Sequence, residues 1–208
     1  MEKHVYFVRH GESEENATGI YQGPEVKLTE RGREQAHVVA ERIAHLTVEA
    51  VLSSAFPRAL QTAEIIGECI HKTPEPNELF AEWIGPAEIQ GKHRTHPEPK
   101  NVMENIRNSL DPFFRHDTEE TFHELCLRAT KAIETLEKHN AVRLCVVTHG
   151  GFLKILTGVM IFREEFNKAI FKHMVLYMPT TNTGITYLKT HEQLGWRLVT
   201  WNDQSHLG

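Results

Sequence analysis

Cysteine is scarce in this chain, long apolar runs are missing and no block of like charge stands out. Each shortage removes a class of protein. The three cysteines, Cys69, Cys126 and Cys145, are odd in number and widely separated in 208 residues, which suits reduced core thiols and not a disulfide framework or a thiolate zinc site. No stretch approaches membrane-spanning length, and Met1-Glu2-Lys3-His4 runs into an apolar segment without a leader's cleavage site. A cytoplasmic protein with no membrane partner is expected. The formal net charge is -5 and the 25% of charged residues are dispersed, so no nucleic-acid partner is expected and any bound anion must be held by a local pocket. With 40% hydrophobic residues the chain can bury one good core. A single domain over 1–208 is expected, as a monomer or homodimer.

What is present begins with Val5-Tyr6-Phe7-Val8, an apolar run that ends abruptly in Arg9-His10-Gly11. It reads as a buried strand with a polar cluster at its carboxyl end, where α/β sheets place ligands. Asn16 to Lys27 has the composition of a loop, and Thr29 caps a helix from Glu30 to about Leu46. A short strand over Glu49 to Ser53 is followed by a helix from Arg58 to about Ile70, with Pro57 near its first position. Thr73 to Pro99 is rich in proline and glycine, with one apolar piece at Leu79-Phe80, which suggests an edge strand and then a long irregular segment. Helices are expected over Val102 to Phe114 and Thr121 to Lys138, the second with Leu125, Ala129, Ala132, Ile133 and Leu136 on one face. Residues from about 81 to 120 are expected to form a small cap.

A second apolar run, Val142 to Val147, ends in Thr148-His149-Gly150-Gly151 before a helical stretch from Phe152 to about Thr157, repeating the opening pattern. Thr183 to Lys189 and Trp196 to Trp201 alternate like paired strands around Gly195. The expected fold is a three-layer α/β/α sandwich with a mostly parallel central sheet, an antiparallel terminal hairpin at one edge and the cap insertion. The strand ends then bring Arg9, His10, Arg58 and His149 to one rim, with an acid supplied from the Leu79 segment.

Two guanidiniums and two imidazoles on one rim repel unless an anion lies between them, and arginine forks match phosphate oxygens. There is no Walker-type glycine loop and no carboxylate cluster for magnesium. No metal and no cofactor are therefore expected. A neutral imidazole is a competent nucleophile near pH 7, so one histidine can attack phosphorus while the other, protonated, binds its oxygens. His10 is the choice for attack, because Arg9 places the phosphoryl group and Gly11 lets backbone and substrate approach. The acid that protonates the leaving oxygen is Glu78, Glu82 or Glu88. His93 and His96 read as a solvated loop, since no Cys or acidic partner is spaced to complete a metal site. With 14 histidines and 13 glycines, about one His-Gly pair is expected by chance; the context of the two pairs present carries the specificity.

Arg9-His10-Gly11-Glu12-Ser13 with Asn16, Leu28 to Ala36, Ser53 to Ala63 around Arg58, and Val147 to Gly151 together resemble the motifs of the histidine phosphatase superfamily, the phosphoglycerate mutase-like proteins. Asn182 to Thr186 and Trp201-Asn202-Asp203 extend the resemblance to the chain's end. It implies a phosphoglycerate mutase-like fold and a phosphohistidine on His10. It further implies phosphoryl binding by Arg9, Arg58, His149 and Gly150, additional donors from Asn16, Gln22 and Gly23, and Glu82 as proton donor. The chain has Glu15 where the glycolytic mutases carry a Trp before the signature Asn, and it has no room for their long insertion. That favours a phosphatase acting on a small phosphorylated molecule. The alternatives are a mutase-type phosphoryl transferase and a non-catalytic phosphate-ligand-binding protein.

Overall fold

The two apolar runs that end in His-Gly become neighbours. In the computed structural model, which describes residues 2–208, β1 (His4–Arg9) and β4 (Arg143–Thr148) lie side by side and parallel. On the far side of β4 come β2 (Ala50–Ser53) and a two-residue edge strand β3 (Glu75–Pro76), both parallel to it. On the far side of β1 come β5 (Ile185–His191), antiparallel to β1, and then β6 (Gly195–Asp203), antiparallel to β5. The order is β3-β2-β4-β1-β5-β6, a mixed sheet with the expected terminal hairpin at one edge.

Helices cover both faces, which is why β1 and β4 are apolar almost throughout instead of alternating. On one face α2 (Glu30–Ala44) and α3 (Pro57–Ile70) bury Val39, Ile43, Ala63 and Ile66 against Val8, Val51 and Val147. The hydroxyl of Thr29 accepts the Gly32 N–H and caps α2, and α3 opens on Pro57, where no N–H is needed. On the other face α5 (Phe122–Lys138) and α6 (Gly150–Phe162) pack Leu125, Ala129, Leu136 and Phe152 against Phe7, Leu144 and Val146. Thr121 and Glu124 close a capping box at the start of α5.

Several boundaries differ from the sequence expectations. Leu79-Phe80 lies in a 3-10 turn (Glu78–Phe80) capped by Asn77, and the edge strand falls earlier, at Glu75–Pro76. The helix expected over Val102 to Phe114 is α4, Pro97–Asn108. Pro97 and Pro99 occupy its first turn, where proline costs no hydrogen bond, so residues that read as breakers are initiators. A short helix α1 (Glu14–Ala17) interrupts the expected loop, α6 runs one turn beyond Thr157, and α7 (Lys168–Tyr177) has no counterpart among the expectations. Only Met174 of α7 is buried, which leaves that segment little apolar periodicity to detect. Over the carboxyl rim of the sheet, Ile89, Val102 and Met103 form a small separate cluster with Tyr21, Trp83 and Ile106. Among the described residues no helix is long and apolar enough to cross a membrane.

Candidate active site

Strand register builds the centre of the site. Arg9 pairs with Thr148, so the next residues, His10 and His149, leave adjacent parallel strands at the same height, with ring centroids 5.0 Å apart. Ser53 pairs with Val147, which brings Ser54 level with Thr148, one residue short of His149; its Oγ lies 2.8 Å from His149 Nε2. Both imidazoles are buried, at 3% and 0% exposure.

The loop after β1 holds His10 in one tautomer. Its Nδ1 is 2.6 Å from the carbonyl of Gly11, and a carbonyl only accepts, so Nδ1 carries the proton and Nε2 keeps a lone pair. The Gly11 N–H donates to Thr62 Oγ1, Thr62 donates to the Arg58 carbonyl, and Asn182 Nδ2 donates to the His10 carbonyl. Gly11 itself lies against the first turn of α2: a Cβ there would stand 2.3 Å from the Gly32 carbonyl oxygen.

The two arginines arrive from opposite sides. Arg9 donates to the Thr180 carbonyl at 2.6 Å and to Asn16 Oδ1 at 3.4 Å, while Arg58, 1% exposed in the first turn of α3, donates to the Gly23 carbonyl at 2.9 Å. The Nε of each is buried without a protein partner, a donor that a bound anion would satisfy. Gln22 lines the same cavity and accepts from Ser13 Oγ. Gly23 does not present its N–H to the cavity, because that N–H donates to Glu15 Oε2; its carbonyl positions Arg58.

Of the three candidate acids, the structure brings only Glu82 to this group. The 3-10 turn before it is tied down by Thr148 Oγ1, which donates to the Phe80 carbonyl, and by Arg128, which donates to the carbonyls of Leu79 and Ala81. Glu82 Oε1 accepts from Trp83 and Phe152 N–H, and Oε2 from Gly151 N–H alone, across the first turn of α6. Glu78 lines only a smaller neighbouring hollow and not the cavity that holds Arg9 and His10, and Glu88 is hydrogen-bonded to His116 Nε2.

Sequence reasoning missed Lys154. One helical turn beyond Gly150, it is 7% exposed and donates to the Gly150 carbonyl at 3.1 Å and to Thr180 Oγ1 at 3.2 Å. Its place one turn past the second His-Gly, in a helix otherwise apolar toward the core, was the available signal. Thr180 joins both cations, its carbonyl to Arg9 and its hydroxyl to Lys154. His93 stays in an exposed loop with its Nδ1 near Thr95 Oγ1. Among the described residues no group of three His, Cys, Asp or Glu is placed to hold a metal ion.

Burial, then Arg9 and Arg58, push His10 well below its ordinary 6.5, which makes it neutral at pH 7. Burial, then His10 and the two arginines, do the same to His149. The protonated second histidine expected from sequence is therefore neutral in the free molecule, because burial first and the neighbouring cationic groups after it oppose its charge. Burial lowers Arg58 to about 10 and Lys154 to about 8, both opposed by Glu82. Arg9, His10, Arg58, Glu82 and Lys154 line a cavity of about 740 Å³, with His149 buried beside His10.

A family model described as "Histidine phosphatase superfamily (branch 1)" matches residues 5–204. The chain belongs to the histidine phosphatase superfamily. Phosphoglycerate mutase-like protein 4 of Arabidopsis thaliana is 28% identical over 210 residues, covering 98% of this chain and 86% of that protein. The metal-independent phosphoserine phosphatase of the same plant is 29% identical over 213 residues, covering 98% and 82%. The solved structure of mycobacterial glucosyl-3-phosphoglycerate phosphatase superposes with a TM-score of 0.81 at 21% identity, covering 98% of this chain and 100% of that one. This histidine phosphatase is a phosphoric monoester hydrolase with the phosphoglycerate mutase-like fold.

Proposed function

We propose that the protein is a metal-independent phosphatase that hydrolyses a small-molecule phosphomonoester through a phosphohistidine on His10. The observation that carries this reading is the fixed tautomer of His10: a buried, neutral imidazole whose Nε2 lone pair is left free between two guanidiniums. Similarity along nearly the whole chain to a metal-independent phosphoserine phosphatase supports it.

In the first step His10 Nε2 attacks phosphorus in line with the ester oxygen. The P–N bond forms, the P–O bond breaks, and the leaving oxygen takes a proton from Glu82. Oε1 of Glu82 already accepts two N–H groups and Oε2 only one, so Oε2 is the atom with a position left for that proton. Arg9, Arg58 and Lys154 hold the equatorial oxygens as charge builds on them. His149 stands beside His10 as a further donor, and the arriving dianion favours its protonated form. In the second step Glu82 removes a proton from water, whose oxygen displaces His10 from phosphorus. Residues 81–120 act as the cap that excludes bulk water.

Incubation with a chromogenic phosphate ester and a chelator should give turnover, with an acid-labile phosphoryl group trapped on the protein. Undiminished turnover by His10→Ala, or full loss of turnover to chelator, would overturn the reading. Transfer to a second monophosphate outpacing hydrolysis would make it a mutase.

A further inference from the structure

The cavity that holds the phosphoryl group continues well past it, between α4 and α7, and its far half is built differently. Its floor and walls there are apolar, from Trp83, Met103, Phe114, Phe171 and Leu176. Around these stand Arg107 on α4 and Lys168 and Lys172 on α7. Lys168 donates to the carbonyls of Ile106 and Asp111, and Lys172 to Asn108 Oδ1, so the end of α4 is fixed against α7. None of the three cations has a carboxylate within ion-pair distance among the described residues, while Glu104, the acid on the same wall, is drawn to Lys100 at 3.9 Å. Asp111 lies near Lys168, and of the other acids lining the cavity Glu120 is paired with Arg128 and Glu119 accepts from the His116 and Asp117 N–H groups.

A chain with a net charge of -5 has acid to spare, so unpaired cations gathered on one apolar cavity call for a ligand. A phosphate on a three-carbon stub would leave that half of the cavity to water. The whole cavity is of a size that takes a drug-sized molecule, about 300–1,000 Å³.

Resting on the phosphatase reading above, we infer that the substrate is an elongated phosphomonoester with an apolar body, carrying at its far end a second anionic group taken by Arg107 and Lys172. The phosphoryl end meets Arg9, His10 and Arg58, the body lies on Met103, Phe114 and Phe171, and the far anion replaces the missing carboxylates. Arg107 and Lys172 are thus specificity residues remote from the reacting atoms.

Phosphonates carry the anion without a hydrolysable ester, so their binding is read apart from turnover. Calorimetry of the full-length protein with a series of alkylphosphonates and their ω-carboxylates should show affinity growing with chain length. At the matching length the carboxylate should bind about tenfold or more tightly than the plain chain. Arg107→Ala with Lys172→Ala should abolish that preference, and the charge-keeping pair Arg107→Lys with Lys172→Arg should retain it. Equal affinity of both series at every length, or a preference that survives the alanine pair, overturns the inference. Hydrolysis of a chromogenic ester by the same preparation separates the two readings: turnover without carboxylate preference sinks only this inference, while absence of both turnover and phosphonate binding sinks both.

Discussion

In the proposed mechanism His10 and Glu82 divide the chemistry, so their replacements should fail differently. If His10 is the nucleophile as proposed, His10→Ala removes the attacking atom and should cut turnover by about three orders of magnitude or more, with no trapped phosphoryl group. Glu82→Gln keeps acceptor and shape but loses the transferable proton. Its kcat should fall about 10²- to 10⁴-fold while KM moves little; an equal rise in KM would mean that the carboxylate merely holds α6 in place through Gly151 and Phe152. Lys154 gives a signature in pH. Because burial leaves it titrating near 8, phosphate binding to the free enzyme should weaken as pH rises through about 8, and Lys154→Met should lack that inflection in a titration followed by calorimetry. The same depressed value disfavours the protonated lysine in the folded state, so the wild type gains stability as pH climbs from about 8 toward 10.5, the reverse of the binding trend.

The glycine-to-glycine contact between the signature loop and α2 shows how elements, and not single side chains, set the site. Gly32 has no room for a Cβ, which would stand 2.0 Å from the Glu12 carbonyl oxygen, so Gly32→Ala must push the first turn of α2 away from the loop that holds His10. A loss of about 2 kcal/mol or more is expected in urea unfolding, together with reduced kcat; a variant of wild-type stability would show that the contact gives way cheaply. The sequence exposed most of this scaffold because β1, β4, α2 and α5 carry strong periodicity or unbroken apolar runs. It also exposed Arg9, His10, Arg58 and His149, since each sits at a strand end or first turn where position alone implies the rim. What it hid has physical reasons. Prolines that begin α4 read as loop, α7 is half-exposed, and Lys154 becomes part of the site only when the Thr180 segment folds over it. Gly23 was expected as a donor, but whether its N–H or its carbonyl faces the ligand depends on a loop path that local sequence does not encode.

At the scale of the whole molecule, the site is a deliberate fault in an otherwise apolar interior. Two clusters seal the faces of the sheet, and their burial offsets the cost of keeping His10, His149, Arg58 and Lys154 out of water. That balance has to tilt with pH. His10 and His149 titrate well below 6.5 when folded and near 6.5 when unfolded, and His206 shifts in the same direction. Below pH 6.5 the unfolded chain therefore binds more protons than the folded one, so stability present above 6.5 is lost as pH falls, at up to about 1.4 kcal/mol per pH unit for each histidine. Asp203, held low by its hydrogen bond to the Ser205 backbone, acts in the same sense only nearer the carboxylate range, so the drop above it belongs to the histidines. Urea midpoints measured between neutral and mildly acidic pH should fall steadily, and His10→Gln with His149→Gln should flatten the curve. Saturating phosphate should flatten it too, because an anion between the rings stabilises their protonated forms. A wild-type midpoint constant over that range would mean that the two histidines are not neutral and buried in the folded protein.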